Sequence, residues 1–335
     1  MKNRIKDIAK ALLFLGIGVL LIWLVTRNLS SSDKANIFEA FKKANYFWIV
    51  VTLLMGCFSH WLRAVRWKML LEPLGHNPKT INTFFAVMVG YLANFALPRL
   101  GEVSRCTVLT RYEKIPFTES FGTVITERIV DTICLLIVFV ITVLTQFQEI
   151  YQLLNEKIMI PLHQKLTGLL QHQLMLVAVL AIIVLMVVLF LKWKQKAGGK
   201  MVEKITDLLN GFWQGVKSIR NIKNPILFLL YSLVIWSMYF LMVYLCFYCF
   251  AETTHLGLGA SLAVLGFGSI GIIFVPGGTG AYQAIVTQLL TTGYSISFPI
   301  AFAFSWIVWT SSLVLILLLG LISLVLLPIL NKEKL

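Results

Sequence analysis

Charge is what this sequence has least of. Only 13% of its 335 residues are Asp, Glu, Lys or Arg, about half the ~25% of an ordinary soluble domain. That excludes a soluble enzyme. Disorder is excluded as well, because it requires low hydrophobicity and 58% of these residues are hydrophobic, with a mean hydropathy of +0.84. Acidic residues are the scarcer sign: 15 Asp+Glu stand against 29 Lys+Arg, a net charge of +14. In a soluble chain that excess would point to nucleic acid. Here most basic residues occupy short segments between long apolar runs, as in the cytoplasmic loops of a polytopic membrane protein, and no nucleic-acid partner is expected. Cysteine is sparse too. The five lie mostly inside apolar segments and give neither a disulfide framework nor zinc spacing; Cys246-x-x-Cys249 is two neighbours on one helix face. The five histidines are scattered and there is no Walker A motif, so no metal, cofactor or ATP-driven mechanism is expected.

What is present is long apolar runs. A spanning helix needs ~20 mostly apolar residues, and such runs cover about 8–26, 46–66, 121–145, 173–192, 225–250 and 299–330. The first follows Lys2, Arg4, Lys6 and Lys10 like a signal peptide, but its apolar stretch is too long and lacks a small-residue cleavage site, so it reads as an uncleaved anchor. Regions 80–114 and 259–293 are different. Each has one apolar arm of about 17 residues, a Pro/Gly break, and a second arm that is shorter or more polar.

Two re-entrant hairpins and six spans would place 22 of the 29 basic residues inside and six outside, with Arg128 within a span. That obeys the positive-inside rule and sets both termini in the cytoplasm. The expected fold is therefore an all-α polytopic integral membrane protein with about six spanning helices and two oppositely oriented re-entrant helical hairpins. Residues 46–145 and 225–335 form an inverted-topology repeat whose broken helices meet near the midplane. The chain 1–335 reads as one membrane domain, with 1–45 an anchor helix and external segment and 146–224 a connecting helix and loops.

The densest polar stretch runs from Asn94 through Pro98, Arg99, Gly101 and Glu102 to Arg105. Pro98 and Gly101 are expected to end one helix and free the N-terminus of the next, which attracts anions. Arg99 and Arg105 add donors suited to phosphate, and Glu102 would neutralise an arginine or cap the new helix. A capped cytoplasmic loop with positive-inside arginines accounts for the same residues. Within the span from 121, Glu127 and Asp131 are about 40° apart and Arg128 about 60° from Asp131, so the three share a face. Asp131 would lie roughly 15 Å into a ~30 Å core, where an ionisable group faces protein or a cavity. The alternative is a purely structural ion-pair cluster.

The second break, Pro276-Gly277-Gly278-Thr279-Gly280, followed by Tyr282 and Gln283, allows a nest of amides for an anion or, equally, a tight turn between packed arms. Arg63 and Arg66 close the 46–66 run beside His60 and Trp67, either as snorkelling anchors or as a phosphate-attracting vestibule. Gly266-x-Gly268-x-x-Gly271 lies in a membrane arm without a preceding strand and reads as helix packing. The basic 194–223 segment, with Trp213, reads as a surface helix on anionic lipid.

In order, Arg63-x-x-Arg66-Trp67, Asn94-x-x-x-Pro98-x-x-Gly101-Glu102-x-x-Arg105, Glu127-Arg128-x-x-Asp131 and Pro276-Gly277-Gly278-x-Gly280 resemble the transmembrane flippase-like domain of bacterial lysylphosphatidylglycerol synthases. The likeness covers nearly the whole chain. Nothing follows Leu335 where bifunctional members carry a soluble aminoacyl-transferase domain, so synthase activity is not implied and the chain is expected not to be an enzyme. Gln283 stands where the pattern usually carries Glu, which puts aminoacyl-lipid specificity or proton coupling in question.

The function expected is a flippase-like transporter of the bacterial cytoplasmic membrane, moving a polar or anionic phospholipid, or a lipid-linked headgroup, between leaflets. Arg63, Arg66, Arg99 and Arg105 would bind phosphate, while Glu102, Glu127 and Asp131 hold or release those arginines. The rivals are a membrane-embedded transferase using Glu102 or Asp131 as base and a small-solute secondary transporter.

Overall fold

A computed structural model describes residues 30–96, 99–148 and 222–331, with Trp23, Arg27, Tyr151 and Ile160. The expected spans at 8–26 (apart from Trp23) and 173–192, the basic segment up to residue 221, Pro98 and both chain ends lie outside the described residues. Among the described residues all regular structure is helical.

The helices start where the sequence supplies caps. Helix α1 (Ser31–Lys43) begins at Ser30, whose hydroxyl accepts from the Asp33 amide while the Asp33 carboxylate accepts from the Ser30 amide. Helix α2 (Tyr46–Leu71) is capped by the Asn45 side chain. Helices α3 (Thr80–Ala96) and α4 (Leu100–Glu113) form the first hairpin, and α5 (Phe117–Thr145) follows Pro116. Helix α6 (Pro225–Cys246) has Asn224 as cap and proline in its first turn, where no amide hydrogen is needed. Helices α7 (Leu258–Phe274) and α8 (Ala281–Gln288) form the second hairpin around a tight turn at Pro276–Gly278, and α9 (Phe298–Leu330) ends the described chain.

Four of these, α2, α5, α6 and α9, are long and apolar enough to cross a membrane. Arms α3 and α7, at 17 residues each, reach only about 25 Å, short of a ~30 Å hydrocarbon core. Leu136, Ile226, Leu233, Leu321 and Val325 are more than half exposed on the long helices. Such a surface is a liability in water and the expected one against lipid.

Close backbone approach holds each hairpin together. A Cβ on Gly101 would lie 2.1 Å from the Gly90 carbonyl oxygen, and one on Gly271 would lie 2.9 Å from the Tyr282 nitrogen. Only glycine permits such contact, the usual device where lipid supplies no hydrophobic drive between helices.

Side-chain pairs give the directions. Arg63 meets Asp131, Arg66 meets Glu127 and Trp67 meets Thr123, so α2 and α5 are antiparallel. Arg66 meets Ser232 while Gly56 faces Met242, so α2 and α6 are antiparallel as well. At the end where α2 starts, the Asn45 amide donates to Cys249 O, and the Tyr294 hydroxyl after the second hairpin donates to Gln146 at the end of α5. At the other end the base of the first hairpin, Asn82, exchanges two hydrogen bonds of 2.9 Å with Asn331 after α9. The hairpins thus open at opposite ends of the bundle. Their tips meet inside it, where a Cβ on Gly277 would lie 2.9 Å from the Phe95 ring.

The packing repeats. Contacts of α2 with α3, α4 with α5, and α3 with α9 are matched by α6 with α7, α8 with α9, and α7 with α5, while α2 and α6 pack on each other. Exchanging the quartet α2–α5 for α6–α9 maps this pattern onto itself.

Candidate functional site

The polar centre begins with two acids one turn apart on α5 and two arginines nearly one turn apart on α2. Glu127 Oε1 accepts from Arg63 Nη1 at 3.0 Å and Arg66 Nη2 at 3.4 Å, while its Oε2 accepts from Arg105 Nη1 of the first hairpin at 2.9 Å. Asp131 accepts from Arg63 at 2.5 Å and Arg66 at 2.7 Å. Arg66 also donates to Ser232 and Arg63 to the Tyr239 hydroxyl. The Arg105 guanidinium lies 4.6 Å from the centre of the Trp67 ring, whose indole nitrogen donates to Thr123.

Glu127 and Arg66 are fully buried, and Arg105 and Arg63 nearly so. Ions so placed persist only when paired and hydrogen-bonded. Three guanidinium groups against two carboxylates leave one positive charge in excess.

Against this cluster lies a cavity of about 400 Å³. Its charged wall is Arg63, Asp131 and Arg128, and its other walls carry Trp236, Tyr239, Tyr282 and Trp309. Arg128 does not join the buried cluster. Its Nε lies 3.4 Å from Glu102 of α4, and its side chain is 40% exposed.

The expected site residues divide accordingly. Arg63, Arg128, Asp131 and Tyr282 line the cavity, while Arg66, Arg105 and Glu127 stand behind its wall. Asn94 accepts from the Gly101 amide at 2.7 Å, so one amide of the α4 N-terminus is already satisfied. The left-handed residue at this break is Arg99, with φ 66° and an exposed position. Gly101 is helical and serves the close approach to Gly90.

At the second break Gly277, Gly278 and Gly280 all have positive φ, which glycine adopts without steric cost and which winds the backbone into a turn that could present amides to an anion. Two of its amides are occupied, however: Gly278 donates to Val275 O at 2.7 Å and Gly280 to Gln283 Oε1 at 2.8 Å. Trp309 ties the turn to α9 by donating to Gly277 O at 2.6 Å. Gln283 is a buried helix cap beneath the turn that Pro276 begins. Trp236, Tyr239, Ser232 and Trp309 were not singled out from sequence. The three-residue spacing of Trp236 and Tyr239, on one face of an apolar helix, is the signal that marks them.

Fold and site together define a polytopic helical membrane protein with a charged, aromatic-walled cavity lined by four long helices and the second hairpin, to which the first hairpin contributes no lining residue among those described. The chain belongs to the lysylphosphatidylglycerol synthase TM region family, whose model matches residues 9–320. This is a family of membrane domains associated with lipid handling. Over 88 residues the chain is 28% identical to the UPF0104 membrane protein MJ1595 of Methanocaldococcus jannaschii, covering 25% of this chain and 26% of that protein. The chain therefore spans about a quarter of the length of the curated relative it matches. No solved structure matches it.

Proposed function

We propose that this protein moves the headgroup of an anionic phospholipid between the leaflets of the bacterial cytoplasmic membrane, without chemistry on the lipid. One observation carries the reading: Arg63 and Arg128 face a cavity of about 400 Å³ walled by α2, α5, α6, α9 and the second hairpin. A cavity of that size admits a headgroup, while acyl chains remain in the bilayer. In this reading the hairpins are re-entrant, the quartets α2–α5 and α6–α9 are inverted repeats and both termini are cytoplasmic. The charge distribution of the loops and the opposite openings of the hairpins support that arrangement.

The two buried acids are spoken for by arginines, which suits a fixed wall better than a catalytic base. The partly exposed Arg128 is the group placed to exchange Glu102 for a phosphate. Bidentate donation to phosphate is the task for which guanidinium is suited.

The test is reconstitution in liposomes with a headgroup-accessibility assay for phosphatidic acid and phosphatidylglycerol. Protein-dependent translocation is expected, falling about tenfold or more in Arg128→Ala, since a hydrogen bond to a charged group is worth ~1.5–3 kcal/mol. Folded wild-type protein that moves neither lipid would overturn the reading.

A further inference from the structure

The headgroup itself is constrained by how the cavity's hydroxyl groups are used. Thr52, Thr132, Ser269, Ser311 and Ser312 all line it. Each already donates its proton to a carbonyl of its own helix: Thr52 to Ile49 O at 2.9 Å, Thr132 to Arg128 O at 2.8 Å, Ser269 to Leu265 O at 2.6 Å, and Ser311 and Ser312 to Val308 O at 2.9 and 3.2 Å. A hydroxyl has one proton and two lone pairs. With the proton committed, these oxygens offer the cavity acceptors. On α2, α5, α7 and α9 the cavity therefore sets a row of neutral acceptors, which wants hydrogen-bond donors, beside a cationic wall, which wants an anion. The Tyr239 hydroxyl, which accepts from Arg63, and the Trp236 indole are the neutral donors left on its α6 wall.

We infer that the cavity selects a phosphate ester whose substituent is a neutral polyhydroxyl group and discriminates against ammonium headgroups; this rests on the transport reading only for the site's role as a headgroup site. The phosphate would lie against Arg63 and Arg128 and the hydroxyls of the substituent would donate to the threonine and serine oxygens. The flat faces of Trp236 and Trp309 suit the C–H faces of a polyol or sugar ring.

An ammonium group also suits acceptors and aromatic faces, and charge decides against it. Among the described residues Asp131 is the one carboxylate on the cavity wall, and it is already held by Arg63 and Arg66. A cationic headgroup would meet two arginines with no uncommitted carboxylate to offset them.

The test is binding to detergent-solubilised protein, read by intrinsic tryptophan fluorescence and by calorimetry, with dihexanoyl phosphatidylglycerol, dihexanoyl phosphatidylinositol and a short-chain glycosyl phosphate as separate arms. Dihexanoyl phosphatidylcholine, phosphatidylethanolamine and phosphatidic acid are the comparisons. At least one polyol arm should bind tenfold or more tighter than choline and ethanolamine lipids, and the arm that does so names the polyol. In Ser269→Ala/Ser311→Ala, which changes no charge, the ratio of polyol to phosphatidic acid affinity should fall toward one. Choline or ethanolamine binding as tight as every polyol arm would overturn the inference, as would an unchanged ratio in the folded double variant. Binding preference without translocation overturns transport and leaves the headgroup assignment standing, whereas translocation without preference does the reverse.

Discussion

Arg105 donates to Glu127 at 2.9 Å with both side chains shut away from solvent, so the second arm of the first hairpin is tied to the span that follows it. This contact turns an arginine that resembles a substrate ligand in sequence into part of a wall. The same carboxylate also holds Arg63 and Arg66, and Glu127 is thereby the anion on which three helices converge.

Glu127→Gln should therefore be more damaging than Asp131→Asn. Breaking a buried ion pair by removing one partner costs ~3–5 kcal/mol because the remaining charge is left uncompensated. Glu127→Gln leaves Arg105 with no carboxylate and Arg63 and Arg66 sharing Asp131 alone, whereas after Asp131→Asn all three arginines keep Glu127, and Asp131 is itself slightly exposed. Thermal unfolding in detergent checks the order, and wild-type melting temperatures in both variants would show that the cluster does not hold the bundle.

Arg128 and Glu102 should behave in the opposite way. Their 3.4 Å pair is partly exposed, and such pairs contribute only ~0–1 kcal/mol to stability. Arg128→Ala should unfold at the wild-type temperature yet bind dihexanoyl phosphatidic acid at least tenfold more weakly. Arg128→Lys should recover part of the affinity, since an ammonium keeps the charge but loses the planar fork. Glu102→Gln, which removes the competing anion, should bind a few-fold tighter. Unaltered affinity across the three variants would take Arg128 out of the site.

The first hairpin should fail on a single methyl group. Gly101→Ala places a carbon 2.1 Å from the Gly90 oxygen and 2.6 Å from the Asn94 side chain, so the arms must separate and folded yield should collapse. Gly122→Ala is the contrast: nothing lies within 4 Å of the added carbon, and replacing a mid-helix glycine should stabilise by about 0.5–1 kcal/mol. Size-exclusion profiles of the two proteins measure the difference.

The four long apolar helices of the described residues and both breaks are legible in the sequence because each is written locally, in ~20-residue apolar runs and in Pro/Gly interruptions. The shared face of Glu127 and Asp131 is equally local, following from the turn of one helix. Pairing is not local. Arg66 looks like the last residue of a span, since an arginine inside lipid is costly, yet α2 runs on to Leu71 because Arg66 finds its carboxylates 61 and 65 positions away. Arg128 shares the sequence neighbourhood of Asp131 but pairs with Glu102 on another helix. Trp236 and Trp309 are aromatic residues in apolar helices, and sequence alone does not separate a cavity wall from a lipid-facing surface.

Topology provides a further expectation. In a cysteine-free background, Arg111→Cys should react with a membrane-impermeant thiol reagent only from the cytoplasmic side and His255→Cys only from outside. Both positions are exposed, and they lie at the opposite ends from which the two hairpins open. Labelling of both from the same side would remove the inverted arrangement.

The two hairpin bases should act as latches. Asn82 of the first hairpin is bonded to Asn331 beyond α9, and Tyr294 beyond the second hairpin is bonded to Gln146 beyond α5. Each latch therefore joins one quartet to the other. Alternating exposure of a midplane site requires one repeat to rock against its partner, so at least one of these joints has to slide or open in each cycle. Asn82→Cys/Asn331→Cys, joined by a short bifunctional thiol reagent, should arrest translocation by more than tenfold while leaving headgroup binding intact. The same variant treated with a monofunctional reagent controls for loss of the two amides. Translocation at the control rate after cross-linking would mean that the first hairpin and α9 move as one body, and the sliding joint would then be the one between Gln146 and Tyr294.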